Sequence, residues 1–260
     1  SYSGHNNVLW NWSNLSVNTN DYSSGVFYIR QYANDSNNNE NVTGPWIFTL
    51  DNTPPTLENN RTSPTSPATY SKDAYYQFNI TVTSDTDQVF LEINLTGSYV
   101  NYSAENLTDA SYEYNVTFKD LKAGIYSYRW YANDTFNNQN STSSLIYTIN
   151  KAPTEIDLLL NGTDGDKTYA GGSLANFTVT LNVTPPNYYI NLTTNISGWI
   201  DNNGTSPLYN LTVLPSGDNI FNITGYYNGD ENYTSSSETH YATTGAVPPS
   251  MTCLLYTSPS

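Results

Sequence analysis

Apolar and polar residues alternate along much of the chain, the pattern of strands with one face buried. YYQFNITVT (residues 75–83), VFLEINLT (89–96), YEYNVTF (112–118), IYSYRWYA (125–132) and SLIYTIN (144–150) are rich in Tyr, Val, Ile, Thr and Phe, and polar turn clusters separate them. NFTVTLNVT (176–184) reads the same way, although asparagine, a poor strand former, recurs in it. No helical periodicity intervenes. Strands at this spacing predict an all-β chain of antiparallel sandwiches.

An internal repeat divides the chain. GVFYIRQYANDSNNNENVTGPWIFTLDNTP, starting at Gly25, lies without a gap over GIYSYRWYANDTFNNQNSTSSLIYTINKAP, starting at Gly124, a shift of 99 residues with 13 of 30 positions identical. Arg30 matches Arg129, and the Tyr-Ala-Asn-Asp block, Thr49/Thr148 and Pro54/Pro153 also match. A unit of this length suits one two-sheet sandwich. In the same register Ser1 corresponds to Val100, so residues 1–52 are expected to be a truncated domain without its opening strands. Residues 53–150 and 151–246 are expected to be complete domains, and 247–260 an unstructured tail. The third block is more distant but closes in the same style, with NIFNITGYY, a polar NGDEN turn and YTSSSETHY. The joints DNTPP (51–55) and NKAP (150–153) are short and contain proline, which fixes φ and restricts the residue before it. They are expected to leave little freedom between blocks.

LKAGIY, with Leu121, Gly124 and Tyr126, has the L-x-x-G-x-Y form of a tyrosine corner, in which glycine takes the turn and the Tyr hydroxyl returns to the backbone. The first block carries Phe27 in place of that Tyr, and the third has Leu214 and Gly217 followed by Asn219. Trp46 and Trp130 read as core or rim packing.

Composition narrows the functional classes. The 260 residues are 14% aromatic, with 24 Tyr, which sets the chain apart from disordered sequences. The net charge of −15 reflects only 8 Lys and Arg against 23 acids. A chain without a basic patch has no electrostatic hold on nucleic acid or anionic lipid. No apolar run is long enough to span a membrane as a helix. The sole cysteine, Cys253, lies in CLLYTSPS (253–260), which resembles a translated transposase mosaic-end sequencing adapter. That resemblance implies a metagenomic fragment whose native part is free of cysteine.

The chain holds 21 Asn-x-Ser/Thr sequons, whereas 37 Asn and 62 Ser plus Thr placed at random would give about nine. Fifteen of the 21 central residues are Val, Ile, Leu, Phe, Tyr or Trp. Strand alternation, with the central residue facing the core and Asn and Thr facing water, generates sequons as a by-product. N-glycosylation of an exported protein is the other reading. On it, the acceptor candidates are Asn79, Asn94, Asn115, Asn133, Asn176, Asn182, Asn191, Asn210 and Asn222, and sugar would sheathe the outer sheet faces.

No catalytic or cofactor motif is present. His5 and His240 stand at opposite ends, so no histidine-based metal cluster or nucleophile pair is expected within one block. DGD (164–166) and NGDEN (228–232) supply too few oxygens for Ca²⁺ and read as turns. YANDSNNNEN and YANDTFNNQN read as turn-rich connections that serve the fold. No catalytic residue, cofactor or metal ligand is assigned.

Blocks one and two, through G-[VI]-[FY]-x-x-R-x-Y-A-N-D and I-[FY]-T-[LI], resemble the disulfide-free immunoglobulin-like repeats of prokaryotic surface proteins. GYYNGDENYTSSS in block three is similar to bacterial Ig-like repeat domains. The resemblance implies tandem immunoglobulin-like β-sandwiches in a secreted, wall-anchored or surface-layer protein of bacterial or archaeal type. Neighbouring Ig-like domains are then the expected partners, with cell-surface or extracellular glycans or proteins as further candidates. The implied role is a non-catalytic spacer, stalk or adhesive array. The alternatives are an accessory region of a secreted protease or glycoside hydrolase, or a carbohydrate-binding module using exposed Tyr or Trp.

Overall fold

A computed structural model describes residues 16–83, 86–107, 112–199 and 201–245. His5, Cys253 with its adapter-like segment, and the tail from 247 onward lie outside them. Among the described residues the structure is strands, turns and one 3₁₀ turn, Thr19–Asp21.

Strands β1 (Gly25–Asn34) and β2 (Glu40–Leu50) form an antiparallel hairpin. The middle block contains β3 (Thr56–Ser63), β4 (Ala68–Thr69), β5 (Tyr75–Thr83), β6 (Thr86–Asn94), β7 (Tyr99–Ser103), β8 (Glu105–Asn106), β9 (Glu113–Lys119), β10 (Gly124–Asp134), β11 (Gln139–Ser141) and β12 (Leu145–Asn150). One sheet has the order β3-β5-β9-β8; the other runs β4-β12-β10-β6-β7, with β11 paired to β10. The third block contains β13 (Ile156–Leu160), β14 (Thr163–Asp164), β15 (Lys167–Ala170), β16 (Leu174–Leu181), β17 (Ile190–Thr194), β18 (Asn202–Gly204), β19 (Leu208–Val213), β20 (Asn219–Tyr227) and β21 (Ser236–Gly245). Its sheets run β14-β13-β16-β19 and β15-β21-β20-β17-β18. In both blocks the opening strand changes sheets: β4 and β15 pair in parallel with the closing strands β12 and β21, while β3 and β13 belong to the opposite sheet. The chain is therefore a tandem of antiparallel immunoglobulin-like β-sandwiches.

The two-residue alternation produces this architecture directly. On β5, Tyr76, Phe78, Ile80 and Val82 are buried; on β6, Val89, Leu91 and Ile93; on β10, Tyr126, Tyr128, Trp130 and Ala132. Phe78 meets rings of the opposite sheet edge-on, with centroids 5.0 Å from Tyr128 and 5.1 Å from Tyr147. These are favoured aromatic geometries that add to simple area burial. Trp130 is fully buried and its indole N–H reaches Asn60 Oδ1 at 3.0 Å, so the core reading of this residue holds. In the third block the two sheets come close where β20 carries Gly225. A Cβ there would lie 2.8 Å from Val179 Cγ1 on β16.

One expectation fails on two sequons. Asn79 and Asn115 do not face water; they are buried, at 7% and 9% exposure. Asn115 Nδ2 donates to Asn79 Oδ1 at 2.9 Å and to Phe78 O at 3.3 Å, and Thr117 Oγ1 donates to Asn115 Oδ1 at 2.7 Å. Asn115 is satisfied by Asn79, Phe78 and Thr117, which is the condition for burying an amide at modest cost.

By compactness the chain divides into two units. One comprises Ser1–Thr65, Tyr76–Phe118 and Tyr126–Tyr147; the other comprises Ser66–Tyr75, Lys119–Ile125 and Thr148–Ser260.

Replacing Asn115 with Ala strands Asn79 Oδ1 in the interior, and denaturant titration is expected to show a loss of about 1–3 kcal/mol. Burial pushes the Tyr147, Tyr169 and Tyr227 hydroxyls up to about 12. The folded state therefore holds these protons above their ordinary value of 10, and stability falls as pH rises from 10 through 12. Phenolate absorbance and circular dichroism, recorded together, are expected to show these tyrosines ionising only as the chain unfolds in that window.

Candidate functional site

The tyrosine-corner residues separate into different jobs. Leu121 is half-buried and Tyr126 is buried on β10, which Gly124 opens. The left-handed residue of this turn is Asp120, at φ 56°, not Gly124. Asp120 N–H donates to Ala74 O at 2.8 Å, and its carboxylate accepts from Tyr70 Oη at 3.0 Å and Asp73 N–H at 3.2 Å. The carboxylate thus braces the turn from within, which lets a non-glycine residue hold a left-handed conformation. In the third block Gly217 takes φ 98°, and Asn219 Nδ2 returns to Ser216 O and Gly217 O, each at 3.2 Å. Asparagine there supplies the return to the backbone that a tyrosine hydroxyl gives in a tyrosine corner. Phe27 in the first block stacks on Phe48 at 5.4 Å.

The nine acceptor candidates do not share one environment. Asn182 and Asn222 are exposed; Asn94, Asn133, Asn176, Asn191 and Asn210 are half-buried; Asn79 and Asn115 are buried. Asn182 uses Oδ1 to accept Glu155 N–H at 3.0 Å, and Asn222 uses Oδ1 to accept Asn195 N–H at 3.1 Å. Neither bond engages Nδ2, the atom that would carry a glycan. Asn115 Nδ2 donates twice within the fold.

A cluster that the sequence reading missed lies in the third block. His240 Nε2 is 3.2 Å from Asp164 Oδ1 and 3.5 Å from Glu238 Oε1. The three donor atoms lie within 4.8 Å of one another, a set that could hold a cation or share a proton. Glu238 and His240 share a face of β21 by their i, i+2 spacing, and the short strand β14 brings in Asp164. The E-x-H pattern was the available signal, but nothing in the sequence announced that β14 would meet it. Glu238 also has a structural task, accepting Leu158 N–H from β13 at 2.6 Å. Asp166 accepts Tyr241 N–H at 2.8 Å, and Asp230 accepts Asn232 and Tyr233 N–H at 2.7 and 2.8 Å, so these two acids act as loop braces.

Two depressions in the first unit, of about 220 and 340 Å³, each contain a single carboxylate, Glu92 and Glu105 respectively, and no His or Cys. Exposed aromatics concentrate on the β1–β2 hairpin, where Tyr28, Tyr32 and Trp46 are 65%, 63% and 49% exposed.

No protein-family model and no curated protein matches the sequence. Among solved structures, the chain is similar to fibronectin(III)-like modules of Clostridium thermocellum CbhA, at 12% identity and TM-score 0.27, over 74% of this chain and 94% of that one. It is also similar to a tetra-tandem repeat in the extending region of a large adhesion protein, at 17% identity and TM-score 0.33 over 87% of this chain. This chain spans 58% of that structure. The FN1–FN3 domains of chicken CNTN1 match at 9% identity and TM-score 0.26, over 82% of this chain and 76% of theirs. No helix among the described residues is long and apolar enough to cross a membrane.

Glycopeptide mapping of protein from its native source is expected to find glycan on Asn182 and Asn222 and none on Asn115. Occupancy of Asn115 in folded protein would contradict the arrangement of its amide.

Proposed function

We propose that this chain is a non-catalytic spacer or stalk segment of a secreted or cell-surface glycoprotein, built of tandem immunoglobulin-like domains. The observation that carries this reading is the fixed joint before the third block, within the second unit. Ala152 N–H donates to Asn232 O at 2.8 Å, and Thr234 N–H donates to Ala152 O at 2.9 Å. Asn232 Oδ1 accepts Ala123 N–H at 2.9 Å, Lys122 pairs with Glu231, and the rings of Tyr70 and Tyr233 meet edge-on at 5.4 Å. Lys151 Nζ donates to Asp230 O. A spacer has to keep successive domains from folding back on each other, and a joint whose backbone is built into the adjoining loop does so. Exposed ion pairs such as Lys122–Glu231 add little to this; the backbone bonds and the partly buried amide carry it.

The 99-residue repeat supports domain boundaries near residues 52 and 150, with a third boundary near 246. The sequon excess supports an exported glycoprotein, because strand alternation alone accounts for the position of the apolar central residue but not for the choice of asparagine beside it. The exposed Tyr28, Tyr32 and Trp46 favour one second reading, a carbohydrate-binding face on the hairpin.

Asn232→Ala removes the side-chain acceptor of Ala123 N–H and is expected to speed amide exchange at Ala123, on the middle-block side of the joint, by about tenfold and to leave β16 and β20 unchanged. Unchanged exchange at the joint would remove the support for a fixed spacer. In parallel, the chain is expected to show no retention on an array of extracellular glycans. Saturable retention lost on Trp46→Ala would establish the second reading instead.

A further inference from the structure

The repeated Asn-rich loops have the same internal geometry. Asp134 Oδ1 accepts N–H of Phe136 and Asn138 at 2.9 and 2.8 Å, and Oδ2 accepts Asn138 Nδ2 at 2.9 Å. Asp35 Oδ1 accepts N–H of Asn37 and Asn39, both at 2.9 Å, and Oδ2 accepts Asn39 Nδ2 at 2.8 Å. The residue before the closing Asn is left-handed in both loops, Asn137 at φ 65° and Asn38 at φ 62°. These hydrogen bonds hold the Asp35 carboxyl below its ordinary value, with the Asn39 side chain as the largest cause.

In the middle block the loop does more than turn. The second hydrogen on Asn138 Nδ2 goes to Asp51 O at 2.9 Å, and Asn140 Nδ2 donates to Pro55 O at 2.9 Å. Both acceptors lie in the DNTPP joint, within the same compact unit. The chemistry suits the sequence. Pro54 and Pro55 have no N–H, so the joint offers more acceptors than donors. The joint's donors at Asn52 and Thr53 are already used. Asn52 N–H goes to Ser24 Oγ at 2.8 Å, Thr53 N–H to Asp51 Oδ1 at 2.9 Å, and Asn52 Nδ2 to Thr19 O and Tyr22 O at 3.0 Å each. The leftover carbonyls need donors, and asparagine amides supply them. In the first block Asn39 and Asn41 stand where Asn138 and Asn140 stand in the second, and both are exposed.

We propose that the loop from Asp35 to Asn39, with Asn41, is a docking site for an extended, proline-containing segment of the Asp51–Pro55 type, the exit segment of a further immunoglobulin-like block. This deepens the spacer reading and rests on it by naming the partner. Each block then carries, on the hairpin between its last long strands, the groups that grip the tail of the block before it. The third block does the equivalent with main-chain groups, through Asn232 O and Thr234 N–H on Ala152.

The test has three arms. In the full chain, Asn138→Ala together with Asn140→Ala is expected to speed amide exchange over Asn52–Thr56 by about tenfold. Unchanged exchange would show that the loop is only a turn and would overturn the proposal. In the second arm, residues 1–99 are placed ahead of Ser1, which the repeat register pairs with Val100. The duplicated Asp51–Pro55 segment then precedes the Asp35 loop at the native spacing. Its amides are expected to be protected as in the native joint, and Asn39→Ala in the second copy is expected to remove that protection; no effect of Asn39→Ala would overturn the proposal. Third, a synthetic peptide of residues 46–56 is titrated into the full chain. It is expected to shift the side-chain amide signals of Asn39 and Asn41, but not in Asn39→Ala. Absence of shifts at the highest soluble peptide concentration would overturn the proposal even if the duplicated chain does not fold. None of these readouts involves the joint before the third block, on which the spacer reading is tested, so the docking proposal and the spacer reading can fail separately.

Discussion

The structure depends on one constraint: backbone polar groups at turns, bulges and joints must find partners in a chain with few charged side chains. Asparagine meets that demand. Its amide carries a donor and an acceptor in the geometry of a peptide group, so it can stand in for a missing main-chain neighbour. Asn60, beside the irregular β3–β5 pairing, accepts from Trp130 Nε1 and donates to Tyr128 Oη at 3.0 Å each. Asn195 and Asn222 exchange reciprocal bonds, each accepting the other's backbone N–H in Oδ1 at 3.1 and 3.0 Å. Asn161 Oδ1 accepts Asn176 N–H at 2.5 Å, and Asn219 closes the third block's corner. The asparagines in β-rich segments are therefore largely not spread over outer faces at random. Asn60 sits at a bulge and Asn161, Asn195 and Asn219 at strand ends, whereas Asn176, Asn191, Asn210 and Asn222 lie within paired strands.

This sorts the sequons by atom. Where Nδ2 donates within the fold, as in Asn60, Asn115 and Asn140, the nitrogen needed for a glycosidic bond is already engaged. Where only Oδ1 is engaged, as in Asn182, Asn195 and Asn222, a sugar and the structural bond are compatible. Structural use of Nδ2 thus separates sequons whose acceptor nitrogen is engaged within the fold from those whose nitrogen is not. The aromatic core tolerates this economy because each large ring arrives by simple alternation, with Phe78, Tyr128 and Tyr147 interlocking across the sheets.

Much of the fold was legible because strand alternation is a local signal. Residues 75–83 form β5 as expected, and 125–132 lie within β10. The features that escaped depend on distant chain segments. The parallel pairing of Ala68–Thr69 with β12 and of Lys167–Ala170 with β21 involves two to four residues each and has no sequence period. Asn79 and Asn115 are buried side by side, with Asn115 Nδ2 donating to Asn79 Oδ1 across two strands, which neither strand shows alone. The Asp164–Glu238–His240 cluster joins two sheets through residues far apart in sequence. At the corner the L-x-x-G-x-Y spacing located the turn, but Asp120 supplies the left-handed residue and a carboxylate bridge that the motif does not contain. The Asn-rich loops were recognisable as turns from their repetition, whereas their grip on the joint became visible only with the Asp51 and Pro55 carbonyls in place.

The most direct test of asparagine as a backbone surrogate is NMR measurement of side-chain amide exchange in the protein produced without glycosylation. Nδ2 hydrogens of Asn52, Asn60, Asn115, Asn138, Asn140 and Asn219 are expected to exchange markedly more slowly than those of Asn182 and Asn222. Uniform, solvent-limited exchange across all of these asparagines would show that their amides do not hold the chain together.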